Sequence, residues 1–111
     1  MVKYKVNFLQ AGLNDLEEII LYIAGDSPDS ALSWHDKLIS QVNNLAMFPM
    51  IGIPVPDKNI AKLGFRMLPI GNYLVFYKVY EQEKEITILR VLNGMRDYPK
   101  LFENYIPKNN E

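Results

Sequence analysis

Residues 63–70 and 73–80 are two apolar runs separated by nothing but Gly71-Asn72. A two-residue connection gives the second run no course except back along the first, so the chain contains a tight antiparallel hairpin. A polar stretch, Glu81-Gln82-Glu83-Lys84, then returns the chain into residues 85–92. That run, with Ile86-Thr87-Ile88-Leu89, reads as a buried strand, and the three together form an antiparallel meander. Its apolar face has to be buried against another layer.

The N-terminal half supplies that layer. Residues 3–8 alternate, with Tyr4, Val6 and Phe8 against Lys3, Lys5 and Asn7, which is the pattern of a half-buried strand. Leu13, Leu16, Ile19, Ile20 and Ile23 then recur at helical spacing, predicting a helix over 13–24 that stops at Gly25. Ser27-Pro28-Asp29 starts a second helix with a capping hydroxyl, a first-turn proline and an acid at the positive helix end. It runs over 28–47, with Ala31, Trp34, Leu38, Val42 and Leu45 on one face, until Pro49. The short break folds the two helices into an antiparallel hairpin.

The expected fold is therefore α+β: an N-terminal strand, a helical hairpin, then a three-stranded antiparallel meander. The helices cover one face of a twisted antiparallel sheet and leave the other partly open. Leu16, Ile20, Ile23, Leu38, Val42 and Leu45 should meet Val75, Leu89 and Val91. Residues 49–62 carry Pro49, Pro54 and Pro56 among Met50, Ile51, Ile53 and Val55. They read as an extended connection across the core edge and not as a helix. The 111 residues suit one domain spanning 1–111, with a frayed tail over about 104–111.

Composition closes several routes. The chain has no cysteine, hence no disulfide, thiolate metal site or thiol nucleophile, which suits a reducing cytoplasm. No apolar run approaches the roughly 20 residues of a membrane span, and the first residues lack a signal-peptide pattern. Net charge is −1, against broad nucleic-acid affinity. The charge is unevenly placed. Residues 1–50 hold Lys3, Lys5 and Lys37 against six acids, whereas residues 51–111 hold nine basic side chains against seven acids.

No phosphate-binding glycine loop, metal-ligand cluster or nucleophile elbow is present, so neither cofactor nor metal is expected. His35, the single histidine, sits between Trp34 and Asp36 in a helix and reads as a solvated residue. The arginines carry more. Arg90 shares a strand face with Ile86, Ile88 and Leu92, where a permanent charge needs a partner or water. Arg66 and Lys78 lie in neighbouring strands, Arg96 follows the last strand, and Tyr73, Tyr77, Tyr80 and Tyr98 are interleaved with them. Such a set could grip phosphate and stack bases, or meet a partner's carboxylates. Pairing with local Asp97 or with backbone carbonyls is the structural alternative for each arginine.

The element order, the segment Phe65-Arg-Met-Leu-Pro-Ile-Gly-Asn-Tyr-Leu-Val-Phe-Tyr77 and the closing Ile88-Leu-Arg-Val-Leu-Asn-Gly-Met-Arg-Asp97 resemble the RelE/ParE superfamily of toxins. The likeness runs from about Tyr4 to Phe102. It implies a toxin of a type II toxin–antitoxin (plasmid stabilization) module that inhibits growth and is neutralised by a cognate antitoxin. A homodimer and a toxin–antitoxin heterotetramer are the assemblies it leaves open. Within the superfamily, RelE-like members cleave messenger RNA on the ribosome and ParE-like members inhibit DNA gyrase. In the nuclease branch an arginine follows the tyrosine of the central strand, where this chain has Leu74 after Tyr73. A later tyrosine of some nucleases aligns with Phe102, and a histidine of the final motif with Asn93. These departures favour the ParE-like branch, with an inactive interaction module as a third reading. A nuclease would draw on Arg96, Arg90 and Lys78. Target or antitoxin binding would draw on Arg66, Tyr73, Tyr77, Arg90, Arg96 and Tyr98, with Arg96 the better placed and Arg90 tying the sheet edge to the C-terminal segment.

Overall fold

A computed structural model describes residues 2–102; the tail expected over 104–111 lies outside the described residues. The elements are β1 (Lys5–Phe8), α1 (Gln10–Asp26), α2 (Pro28–Met47), β2 (Ile53–Pro54), α3 (Lys58–Lys62), β3 (Phe65–Ile70), β4 (Tyr73–Tyr80), β5 (Glu85–Asn93) and α4 (Tyr98–Leu101). The sheet order is β1-β5-β4-β3-β2. The predicted meander is its centre. Gly71 has φ +61° while Asn72 stays at negative φ, as in the tight hairpin turns that need glycine first.

Ser27 serves both helices. Its N–H bonds to the Ile23 carbonyl at 2.8 Å, closing α1, and its Oγ accepts from Ser30 N at 3.2 Å, opening α2. The first helix therefore runs past Gly25, and the break comes from this serine and the proline after it. The hairpin packs Ile19, Trp34, Leu38 and Leu45 on Leu68, Ile70, Val75, Tyr77, Ile86, Ile88 and Val91. Trp34 also donates its indole N–H to the Ile70 carbonyl at 3.2 Å.

Four expectations need correction. The sheet has five strands and is not purely antiparallel, because β1 runs parallel to β5. Residues 49–62 are not uniformly extended: Ile53–Pro54 pairs with β3, and Asp57 caps the short helix α3 through Asn59 N and Ile60 N. Their apolar residues make the third correction, since the far face of the sheet is largely covered. Val55, Ile60, Phe65, Phe76, Leu89, Leu92 and Phe102 form a second buried layer there. Leu89 is the fourth, for it belongs to this layer and not to the helical one. The β4–β5 register slips between Phe76↔Arg90 and Tyr77↔Ile88, so Leu89 is an extra residue. A bulge inverts the alternation of side chains downstream. Ile86 and Ile88 face the helices before it, and Val91 faces them after it.

Candidate functional site

The bulge and the shortness of β1 decide what Arg90 does. β1 ends at Phe8, so the edge of β5 beyond Ile88 has no strand beside it. α1 turns back over that edge at Gly12, where a Cβ would stand 3.2 Å from the Leu89 carbonyl oxygen and 3.3 Å from that of Ile88. Three residues on, Asp15 takes the place of the missing strand. Its Oδ2 accepts from Arg90 Nε at 2.7 Å and from Val91 N–H at 2.9 Å, and its Oδ1 accepts from Arg90 Nη2 at 2.9 Å. Arg90 thus locks β5 to α1. Sequence reading passed over Asp15, although a signal existed: it lies four residues before Ile19 on the buried stripe of α1, where a charge needs a partner.

Tyr77 and Arg66 are likewise engaged internally. Buried Tyr77 donates its hydroxyl proton to the Pro49 carbonyl at 2.8 Å and accepts from Gly52 N at 2.9 Å. Arg66 Nη2 donates to the carbonyls of Gly52 at 2.6 Å and Met50 at 3.3 Å. Together they fix the turn that leads into β2. Only glycine fits at position 52, since a Cβ would lie 2.5 Å from the Met67 carbonyl oxygen.

Arg96 and Tyr73 meet at the other end of the sheet. Asn93 caps the turn after β5, its Oδ1 accepting from Met95 N at 2.8 Å and its carbonyl from Arg96 N at 3.0 Å. Gly94 N reaches the Asn72 carbonyl at 2.9 Å, tying this turn to the β3–β4 hairpin. A cleft of about 230 Å³ lies between the turn and α1, where Asp15, Glu18, Tyr22, Tyr73, Asn93 and Arg96 converge. Tyr73 is set by an edge-on contact with Trp34, ring centres 5.4 Å apart. Glu18 and Tyr22, both exposed, were not foreseen as part of this site.

Lys78 is elsewhere. Five residues along β4 from Tyr73 amounts to about 17 Å. Its Nζ lies 5.7 Å from the Phe65 ring centre and 5.5 Å from that of Tyr80. It lines a separate groove with Leu9, Leu63, Thr87 and Leu89. Tyr98 packs its ring against Phe76, centres 5.1 Å apart. Burial holds its hydroxyl above the ordinary tyrosine value of 10.0, and the nearby Asp57 carboxylate adds to the rise. His35 is exposed, as expected of a solvated helix residue. Of the three positions aligned above with nuclease residues, two belong to the second apolar layer: Leu74 packs against it, and Phe102 is wholly buried between Phe65 and Phe76, whereas Asn93 stands in the turn beside the cleft.

The sequence profile of the family described as ParE toxin of type II toxin-antitoxin system, parDE, matches residues 6–98. The chain belongs to this family. It is a toxin of a type II toxin–antitoxin system. The Y4kP protein of Sinorhizobium fredii, named as a candidate toxin, is 26% identical over 101 residues, covering 91% of this chain and 99% of that one. Solved structures agree in fold. A chain of the chromosomal ParDE system from P. aeruginosa superposes with a TM-score of 0.63 at 23% identity, covering 82% of this ParE-family chain and 96% of its own. A chain of the toxin-antitoxin complex RelBE2 from Mycobacterium tuberculosis gives 0.59 at 22%, covering 84% and 93%. At these identities the likeness is one of fold.

Proposed function

We propose that this ParE-family toxin acts by stoichiometric binding, that its target is DNA gyrase, and that a cognate antitoxin neutralises it in the cytoplasm. One observation carries the choice of mechanism: the sheet face where Leu74 and Phe102 stand is an apolar core sealed by α3 and α4. Cleaving RNA by attack of a 2′-hydroxyl requires charge stabilisation at the scissile phosphate and groups that move protons. A buried phenylalanine and a leucine do neither. The cations that remain are dispersed. Arg90 is bound to Asp15, Arg66 to backbone carbonyls, and Lys78 is about 17 Å along the sheet from the end that carries Arg96. Losing one preorganised charge-stabilising donor typically costs about 10²–10³ in rate, and here at least two positions lack a polar group.

The test is expression of the toxin without antitoxin, followed by two assays on the purified protein. Inhibition of gyrase supercoiling without ribosome-dependent cleavage of messenger RNA is the expected result. Codon-specific cuts in ribosome-bound RNA that vanish in Arg96→Ala would assign the chain to the nuclease branch. No response in either assay from folded protein would leave it an inactive interaction module.

A further inference from the structure

From Leu38 to Pro56 the chain carries no charged side chain, the longest such stretch in the sequence. It covers the C-terminal half of α2, the turn after it and β2. Its inward residues, Leu38, Leu45, Ala46 and Val55, are buried as the core requires. Its outward residues are apolar as well. Met47 is 40% exposed, Phe48 53%, Met50 51%, Ile51 44% and Ile53 53%. Single exposed apolar residues are ordinary on a protein surface; five within a run of seven make a patch.

The patch has a fixed backbone. Phe48 N bonds to the Asn44 carbonyl at 2.7 Å, ending α2, and Ile51 N to the Phe48 carbonyl at 3.0 Å, closing a turn. Tyr77 and Arg66 fasten that turn through the carbonyls of Pro49, Met50 and Gly52 and through Gly52 N. An apolar turn already held in place loses little freedom when it is covered. Strand alternation settles how it can be covered. Val55 N bonds to the Phe65 carbonyl at 3.3 Å, and Pro54 pairs with Arg66. Ile53 and Val55 thus direct their N–H groups to β3, and Pro54, which faces outwards, has none. This edge resists a further strand, so a partner meets it by side-chain packing.

Charge and area select the partner. A protein recognised by its charges finds none to pair with in this stretch, whereas two copies of the stretch meet without bringing like charges together. Met, Phe and Ile without Lys or Glu is the composition of interface centres, of homodimers above all. Five large side chains about half exposed amount to on the order of 400–500 Å². Doubled by a two-fold axis and completed by a polar rim, this reaches the low end of the ~1,200–2,000 Å² that stable interfaces bury. We propose that residues 47–53 form the interface of a two-fold homodimer, in which Phe48, Met50 and Ile51 of one copy pack against the same residues of the other. An interface of this size suits a dimer that dissociates on dilution. The inference is independent of which cellular target the toxin has.

The test is sedimentation equilibrium of the full toxin at rising concentration. The average mass should climb from one copy towards two in the micromolar range, and added salt should not reverse it, because no ion pair is involved. Met50→Lys/Ile51→Lys should raise the dissociation constant at least about 10-fold with the unfolding midpoint unchanged. The chain has no cysteine, so single Cys substitutions report the symmetry directly. Met50→Cys should form an intermolecular disulfide under mild oxidation, while Leu21→Cys, at a position 65% exposed on α1, should not. A mass that stays at one copy overturns the inference. So does a dimer that the double substitution leaves intact, or one that cross-links equally in both Cys variants. Amide protection over residues 48–53 that requires the antitoxin assigns the patch to that partner instead.

Discussion

Replacing Asp15 by alanine tests the latch between α1 and β5. The carboxylate accepts two bonds from Arg90 and one from Val91 N–H, and its side chain is 9% exposed. Without it a buried N–H loses its acceptor, which costs about 1–3 kcal/mol. A guanidinium also loses its counter-ion; breaking a fully buried pair from one side costs about 3–5 kcal/mol. Arg90 keeps 23% of its side chain exposed and can rehydrate, so the second contribution has to be discounted. We expect a net loss of about 3 kcal/mol, a large share of the ~5–15 kcal/mol that stabilises a typical domain. The melting temperature should fall by roughly 10–15 °C, at about 4 °C per kcal/mol. Asp15→Asn keeps an acceptor for Val91 and should lose about half as much.

Urea unfolding followed by Trp34 fluorescence and by circular dichroism measures the change, with a constant m-value required for a two-state comparison. A double-mutant cycle with Arg90→Ala should return a coupling above about 1 kcal/mol. If Asp15→Ala loses less than about 1 kcal/mol at unchanged m-value, the pair is solvated in solution, and the argument that Asp15 replaces a missing strand fails.

Three further outcomes follow from the packing. Leu38→Ala should cost about 2–5 kcal/mol in urea unfolding, because Leu38 is 4% exposed within the helical layer. Tyr77→Phe strips both the donor to Pro49 and the acceptor for Gly52 N, so it should cost about 1–3 kcal/mol and admit proteases at residues 47–53. Tyr98 is held protonated by burial and by Asp57, so its contribution is complete below pH 10 and declines as pH rises through its elevated value. Unfolding midpoints measured upward from pH 9 should therefore fall less steeply in Tyr98→Phe than in wild type.

How much of this was legible in the sequence depended on whether a signal was local. The Gly71-Asn72 turn and the stripe Ala31, Trp34, Leu38, Leu45 are periodic over a few residues, and the hairpin and α2 formed where they were expected. α1 started earlier than predicted because its N-cap is Leu9, which offers no side-chain hydrogen bond, so no polar residue marks the start. The apolar content of residues 49–62 hinted at burial, which holds for Val55 and Ile60 while Met50, Ile51 and Ile53 stay exposed, and proline spacing disguised α3. Leu89 was misplaced because a bulge leaves no mark in an unbroken apolar run such as Ile86-Thr-Ile-Leu-Arg-Val-Leu92. The cleft could not be read as a unit, since Glu18 and Tyr22 meet Arg96 only through tertiary packing.

Arg90 and Arg96 show why residue type in a strand says little about role. Six positions separate them, yet one is consumed by the fold and the other is left at its surface. The difference originates in β1. Because that strand stops at Phe8, α1 can cross the edge of β5, and Gly12 lets its backbone come close enough for Asp15 to reach Arg90. At Arg96 the sheet has already ended. The turn there is satisfied by the Asn93 side chain and backbone, and among the described residues Arg96 forms no ion pair. An arginine fixed on its backbone while its guanidinium stays solvated loses little on exposure and gains on meeting an anion that displaces its water. Arg96 is thus left as an exposed cation at the point where the strand ladder runs out.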